Sequence, residues 1–454
     1  MGLGYLEGLL FVIAAVQISR NRMALPLTII MFLSEAYSFC GIGQSSLGFT
    51  HLYSDTSLVL FLFMAVVLLL HKPQRVDTRL LHPVKVGVVL FLTFFIVAAI
   101  VDLVVNDVKF SSVVRVFRQW LCLSVLWLIP YLKPRDVIKM LNYVMYISVF
   151  IAVIYLYEFF TNSDITGAIR SAGGTRATIP WSASFLVFVL LFNNFYRINT
   201  FWKWVFISII AFEYFMTGTR SIFIALVIVA GVSLIFSGHG VSANKIIVLA
   251  FSVIAVCIVL STDNILTERL FATKDDISAM QSRGRRVGGN MSFRLLMLEE
   301  RMYYINQHPQ YIVFGIGNIQ ESDFKQRLFH IGLNKKKGGG VNQVDTSDIA
   351  WMLLFLRYGY LGTIIYICTI FFSAIRLFYR NKAHPAGFSV LVYVLVSLFF
   401  LSYTSSAIAT SFFWLMPFCI IRILPTTCKS RFILPARSVK SKLEYQSQPT
   451  PQSL

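Results

Sequence analysis

The chain has 454 residues, of which 57% are hydrophobic and only 13% are charged, and its formal net charge is +19 at pH 7. Soluble domains usually carry about 25% charged residues, so this composition excludes an ordinary soluble protein and indicates lipid as the main solvent. The basic balance does not indicate a nucleic-acid partner, because Lys and Arg recur in the connections between apolar runs.

Apolar runs recur along nearly the whole chain, and a helix of such residues can cross about 30 Å of hydrocarbon. Helices are expected because lipid offers no partner to unpaired backbone groups and the runs lack the alternation of barrel strands. We therefore predict an all-α polytopic membrane protein with about 12–13 transmembrane helices. The predicted spans are 5–18, 24–40, 55–70, 84–104, 114–132, 140–160, 181–196, 201–217, 220–236, 245–260, 348–375, 386–401 and 405–423.

Clusters of Lys and Arg fall on alternate connections, among them 20–22, 72–85, 133–139 and 376–382. The positive-inside rule assigns these connections to the cytoplasm, and it places the large polar loop on the opposite, periplasmic face of a bacterial inner membrane. The predicted organisation is 1–260 with the first ten transmembrane helices, 261–347 as the extracytoplasmic loop, 348–424 with the C-terminal transmembrane helices, and 425–454 as a disordered cytoplasmic tail.

Among the acidic residues inside predicted spans, some lie toward the predicted outer end: Glu35, Asp102, Glu158 and Glu213. Ionisable groups within membrane segments are costly and by default indicate function. Their common position predicts a polar cavity that opens outward. The alternative is that each is solvated at the membrane boundary.

The large loop contains one predicted helix. Residues Met291 to Gln307 have the pattern of an amphipathic helix, which would lie against the membrane surface or cap a cavity. His308 and Pro309 follow, and we interpret His308 as structural. A loop of about 90 residues can hold only a small core of its own, so we expect it to cover the transmembrane bundle.

Arg220 is the most informative single residue. It follows Thr217-Gly218-Thr219 and opens a span at the predicted outer face. Free N–H groups at a helix N-terminus together with a guanidinium make an anion site, and the fork of arginine matches phosphate oxygens. Arg176 and Arg294 are candidate partners in binding a diphosphate. The alternative for each arginine is a side chain that extends to lipid headgroups.

Asp348 stands where the outer loop enters the next span. A carboxylate at a helix start is often only a cap. As a general base it would have to reach a hydroxyl within hydrogen-bond distance, which suits transfer of a sugar onto an acceptor alcohol.

Four segments, in this order, resemble the O-antigen ligase and O-antigen polymerase superfamily of bacterial membrane glycosyltransferases. They are Thr217 to Ser221, Ser292 to Leu298, His308-Pro309 with Phe314-Gly315-Ile316-Gly317-Asn318, and Asp348 to Gly362. Each is short, but their order around one outer loop is more specific. Where the ligase pattern has a histidine, this chain has Asp348.

The resemblance implies a GT-C-like fold and inverting transfer from an undecaprenyl diphosphate-linked glycan, with no metal or other cofactor. Arg220, Arg294 and Arg176 are expected to bind the diphosphate, and Arg220, Arg294 and Asp348 to act in catalysis. The missing histidine favours a polymerase of repeat units over a ligase that moves finished glycan to another acceptor. A non-catalytic transporter of lipid-linked oligosaccharide is a third alternative. The expected partners are the lipid-linked glycan, membrane lipids, a chain-length regulator and a flippase.

Overall fold

The computed structural model describes part of the chain, and all structural statements concern that part. The described residues are 2–35, 47, 53–71, 82–121, 128–161, 181, 183–196, 198–216, 220–236, 290–324, 327–332, 341–344, 349–380, 385–403, 408, 414 and 416–420. Helices form most of this part, and no β-strand occurs within it.

The α-helices are numbered here in chain order. They are α1 Gly2–Ser19, α2 Ala24–Glu35, α3 Tyr53–Leu70, α4 His82–Val104, α5 Phe110–Leu121, α6 Pro134–Thr161, α7 Ala183–Phe192, α8 Thr200–Met216, α9 Arg220–Phe236, α10 Asn290–Gln307, α11 Pro309–Phe314, α12 Ala350–Arg380 and α13 Pro385–Phe399.

Three helical segments are long and apolar enough to cross a membrane: Lys85–Val104, Pro134–Thr161 and Ala350–Arg376. Shorter apolar helices of 10–17 residues accompany them. On α4 the side chains of Leu90, Ile96, Val97 and Ile100 are exposed, which gives this helix an apolar face suited to lipid. The prediction of an all-α membrane protein is confirmed at this level. The predicted span 245–260 and most of 405–423 lie outside the described residues.

Helices α4 and α12 pack along each other, and the two helices run antiparallel. Close approach depends on glycine, because a Cβ at Gly87 would lie 2.5 Å from a methyl group of Thr369, near the far end of α12. At the other end of the pair the rings of Phe95 and Tyr358 have their centroids 4.5 Å apart. The packing of these aromatic rings fixes the axial position of one helix relative to the other.

The described segments between α4 and α6 lie near opposite ends of α4. At one end, the Ser112 hydroxyl of α5 accepts a hydrogen bond from Gln320 N at 2.7 Å. At the other, the Lys85 ammonium lies 6.0 Å from the ring centroid of Tyr131. Residues 110–121 and 128–131 thus contribute contacts at opposite ends of α4. The predicted span 114–132 stays a prediction, because residues 122–127 lie outside the described part and α5 has only 12 residues. The helix begins earlier than predicted, because the carbonyl of Lys109 accepts the N–H groups of residues 112 and 113.

The described residues between 290 and 344 form a small unit that packs on the first half of α12. Its apolar core consists of Ile305, Ile316, Phe329 and Val344 together with Leu356 of α12, so it shares its core with the bundle. The predicted amphipathic helix is α10, which packs on α12. Its buried face includes a charged residue, Arg301.

Arg301 joins the parts of this unit. Its side chain is 1% exposed. Its guanidinium donates to the carbonyls of Met297, Ile331 and Asn342 and lies 4.6 Å from the ring centroid of Phe329. Burial lowers the pKa of Arg301 to about 10, which leaves the group charged at neutral pH. A charged donor surrounded by carbonyls explains how an arginine can occupy the buried face of a helix.

Candidate functional site

The site begins with a break in α12. Gly359 has φ 60° and ψ −164°, which interrupts the helix within its membrane-spanning part. A Cβ at this position would lie 2.5 Å from the carbonyl oxygen of Val313. Both the positive φ and the close approach of another backbone require glycine here. Non-helical backbone at membrane depth is tolerated where it is buried in protein, and here the segment after α11 covers it.

Residues 315–317 dock onto this break through their backbone. Ile316 N donates to the carbonyl of Leu356 at 2.8 Å, and Gly317 N donates to the carbonyl of Arg357 at 3.2 Å. Gly315 and Gly317 have φ values of 67° and 82°. A Cβ at Gly315 would lie 2.4 Å from the Leu356 oxygen. The two glycines therefore allow one backbone to lie directly against another.

Asp102, in the last turn of α4, holds the end of this segment. Its side chain is 1% exposed. Its Oδ2 accepts hydrogen bonds from Asn318 N at 2.7 Å and from Asn318 Nδ2 at 2.9 Å, and its Oδ1 accepts one from Asn106 Nδ2 at 3.2 Å. A Cβ at Gly317 would lie 1.8 Å from Oδ1. The three donors partly offset the cost of burying this carboxyl group, and together they join α4 to the loop.

Two arginines extend the same contact. Arg357, which is buried, donates from Nη1 to the carbonyl of Ile319 at 2.9 Å and interacts electrostatically with Asp102. Arg115, which is exposed on α5, donates from Nη1 to Oε1 of Gln320 at 2.9 Å. The segment 315–320 thus contacts α4, α5 and α12 at one end of the bundle. Residues 315–320 and the side chains that hold them, Asp102, Arg115 and Arg357, are called the platform below.

The structure describes the predicted site residues only in part. Arg220 is the first residue of α9, as predicted, but its side chain lies outside the described part. Arg294 lies in the second turn of α10 and is half-buried. Arg176 and Asp348 lie outside the described residues. The four residues therefore remain a prediction as a site.

The acids in the spans are buried in protein. Asp102, Glu158 and Glu213 are 1%, 2% and 0% exposed. This burial contradicts solvation at the membrane boundary for these three residues, and it equally contradicts the predicted polar cavity that opens outward. The side chain of Glu35 lies outside the described part. A fifth acid, Glu7 of α1, is also buried and accepts a hydrogen bond from the Thr56 hydroxyl at 2.6 Å. In the sequence, the position of Glu7 within an apolar run was the feature that could have identified it as a further buried acid.

His308 has a structural environment. Its Nδ1 lies 2.8 Å from the carbonyl oxygen of Tyr304, and its ring lies 4.3 Å from the ring of Tyr304 and 5.9 Å from that of Tyr311. It precedes Pro309, which begins α11. These contacts fix the turn between α10 and α11.

Three residues of the platform were not predicted as a unit: Asp102, Asn318 and Arg357. Each stood in a segment singled out from the sequence, Asp102 as a membrane acid and the other two within the segments of the resemblance. Their contacts join positions 216 and 38 residues apart, which no local pattern indicates.

No family model matches the chain, and no curated protein or solved structure is similar to it.

Proposed function

We propose that this chain is a membrane glycosyltransferase that polymerises undecaprenyl diphosphate-linked oligosaccharide repeat units, for O-antigen, capsule or exopolysaccharide. One observation carries the proposal. Three segments that resemble the superfamily, 292–298 in α10, 308–318 around α11 and 350–362 in α12, pack on one another at one end of the bundle. Segments that are far apart in the sequence thus contribute to one structural unit.

The proposal includes an orientation. The platform includes Asp102 at the C-terminal end of α4, whereas Lys85 and Tyr131 lie at its other end. If the basic connections around Lys85 face the cytoplasm, residues 290–344 face the opposite side. This arrangement supports a periplasmic loop, a cytoplasmic C-terminus and a reaction at the outer surface of the bacterial inner membrane. We further propose a GT-C-like bundle of about 12–13 transmembrane helices.

In the proposed reaction an acceptor hydroxyl oxygen attacks the anomeric carbon of the lipid-linked sugar. The bond from that carbon to the diphosphate oxygen breaks, and attack from the opposite face inverts the configuration. The hydroxyl proton passes to Asp348, which acts as general base. Arg220, Arg294 and Arg176 bind the leaving diphosphate and stabilise the charge that develops on it. In this role the guanidinium groups substitute for a metal ion.

The test uses Arg220→Ala, Arg294→Ala and Asp348→Ala in cells that lack the native copy. A polymerase predicts that each variant leaves glycan at the cell surface only as single repeat units. Arg327→Ala is the control, since Arg327 is exposed in the same loop and lies outside the proposed site. Full-length glycan that stays on its lipid at the outer face would favour a ligase, and retention of lipid-linked glycan inside the cell would favour a transporter. Normal chain lengths in all three variants would contradict the mechanism.

A purified system gives a direct test. Incubation of the protein with lipid diphosphate-linked repeat units is expected to give longer products without added divalent metal. Independently, a thiol label applied from outside should react with the variant Arg294→Cys. Reaction only from the cytoplasmic side would contradict the proposed orientation.

A further inference from the structure

Glu213 of α8 is a carboxyl group enclosed by the bundle. Its side chain is 0% exposed, and neither carboxyl oxygen has a hydrogen-bond partner among the described residues. Burying such a group without partners is costly, and nearly all buried polar groups in proteins are hydrogen-bonded. The position calls for a proton, a cation or the donor groups of a ligand.

Two hydrogen-bond donors near the start of α7 are also buried without a hydrogen-bond partner among the described residues. Ser184, in the first turn of α7, is buried and interacts with the Glu213 carboxyl, but its hydroxyl makes no hydrogen bond of normal geometry within the described part of the chain. Trp181, one turn earlier, is also buried, and its indole N–H has no acceptor there either. Helices α7 and α8 pack against each other, so the three groups belong to one helix pair.

The chemistry of these groups decides between ligands. A carboxylate accepts hydrogen bonds, a hydroxyl donates and accepts, and an indole N–H donates. Sugar hydroxyl groups can form hydrogen bonds with all three groups, since each hydroxyl can donate to the carboxyl oxygen, accept from the indole N–H and do either with the Ser184 hydroxyl. A phosphate would be repelled by the carboxylate, and one carboxylate with one hydroxyl gives few oxygen ligands for a hard cation. Phe185 follows Ser184 and Tyr214 follows Glu213 in the sequence. Their ring centroids lie 6.2 Å apart, and the two rings add apolar surface.

We propose that Glu213, Ser184 and Trp181 form a sugar-binding subsite for the glycan. This inference rests on the proposed function, since it names the part of the bundle that binds the carbohydrate. Glu213 lies seven residues before Arg220 in the sequence, so the subsite adjoins the connection that leads to the proposed diphosphate site. Because the groups are enclosed, α7 and α8 must separate at this end to admit a sugar.

The experiment measures binding of the free repeat-unit oligosaccharide, released by mild acid from the lipid of the producing cells, to the full chain in lipid nanodiscs. Glu213→Gln keeps the shape of the side chain but replaces one carboxyl oxygen by an amide NH2 group, and we expect affinity to fall about 10- to 100-fold. Trp181→Phe keeps a ring and removes only the N–H, with an expected loss of about 5- to 10-fold. Glu7→Gln is the matched control, because Glu7 is a buried span carboxyl that already has a hydrogen-bond partner in Thr56.

Elongation of lipid-linked glycan by the same preparations separates this inference from the proposed function. If Glu213→Gln loses oligosaccharide binding but the wild-type protein does not elongate glycan, the subsite stands and the polymerase proposal fails. If the wild-type protein elongates glycan and Glu213→Gln binds the oligosaccharide equally well, the subsite is overturned. Should Glu213→Gln not fold, unchanged binding by Trp181→Phe overturns it as well.

Discussion

Substitution of Gly317 by alanine should detach the loop from the bundle. Gly317 has φ 82°, a conformation that costs a residue with a Cβ about 1–2 kcal/mol. The added Cβ would lie 1.8 Å from Oδ1 of Asp102, so the carboxylate must move. Its two hydrogen bonds from Asn318 are then lost or distorted, and hydrogen bonds to charged groups contribute about 1.5–3 kcal/mol each. We expect a local loss on the order of 5 kcal/mol.

Hydrogen exchange measures this loss where it occurs. A change on the order of 5 kcal/mol corresponds to an increase of about 1,000-fold or more in the local opening of residues 315–320. Gly231→Ala is the control, because Gly231 lies inside α9 with no atom within 4 Å of the added Cβ. It should leave exchange in 315–320 unchanged and stabilise α9 slightly, since alanine favours helix over glycine by about 1 kcal/mol. Equal exchange in the two variants would refute the fastening role of Asp102.

Two further substitutions test the packing around this platform. Arg301→Met should leave the carbonyls of Ile331 and Asn342 without their donor. We expect the local stability to fall by about 3–5 kcal/mol, which limited proteolysis of residues 290–344 would detect. A cleavage rate like that of the wild type would count against the central role of the guanidinium. Gly87→Ala should overpack the contact with Thr369 and lower the thermal stability of the detergent-solubilised protein by about 1–3 kcal/mol relative to Gly231→Ala. No difference would mean that α4 and α12 can shift apart at little cost.

The helices could be predicted well because hydropathy acts locally. Span 220–236 has the same bounds in the structure as α9, and the predicted helix Met291 to Gln307 differs from α10 by one residue. In both cases long runs with a clear pattern end at glycine, proline or polar residues. Lipid favours a helix in the apolar run 220–236 whatever its partners, and α10 follows from its amphipathic pattern, so little tertiary information is needed.

The break in α12 could not be predicted. The sequence around Gly359 was interpreted as one continuous span, since an isolated glycine inside a helical pattern is tolerated. The positive φ at this residue is stabilised by the segment after α11, which contacts the break from 40 or more residues earlier in the chain. Burial of Arg301 escaped prediction for the same reason, because its carbonyl acceptors come from residues 30 and 41 positions away.

Several residues in the segments that resemble the superfamily have a packing role in the structure. Gly315, Gly317 and Gly359 each have a positive φ and meet another chain segment where a Cβ would not fit, and Asn318 is engaged by Asp102. These positions are explained by the docking of one backbone on another, without any substrate. The packing of these segments supports the proposed function only together with charged groups that the docking does not require, Arg220, Arg294 and Asp348. Substitutions of those three residues can therefore decide whether the protein transfers sugars.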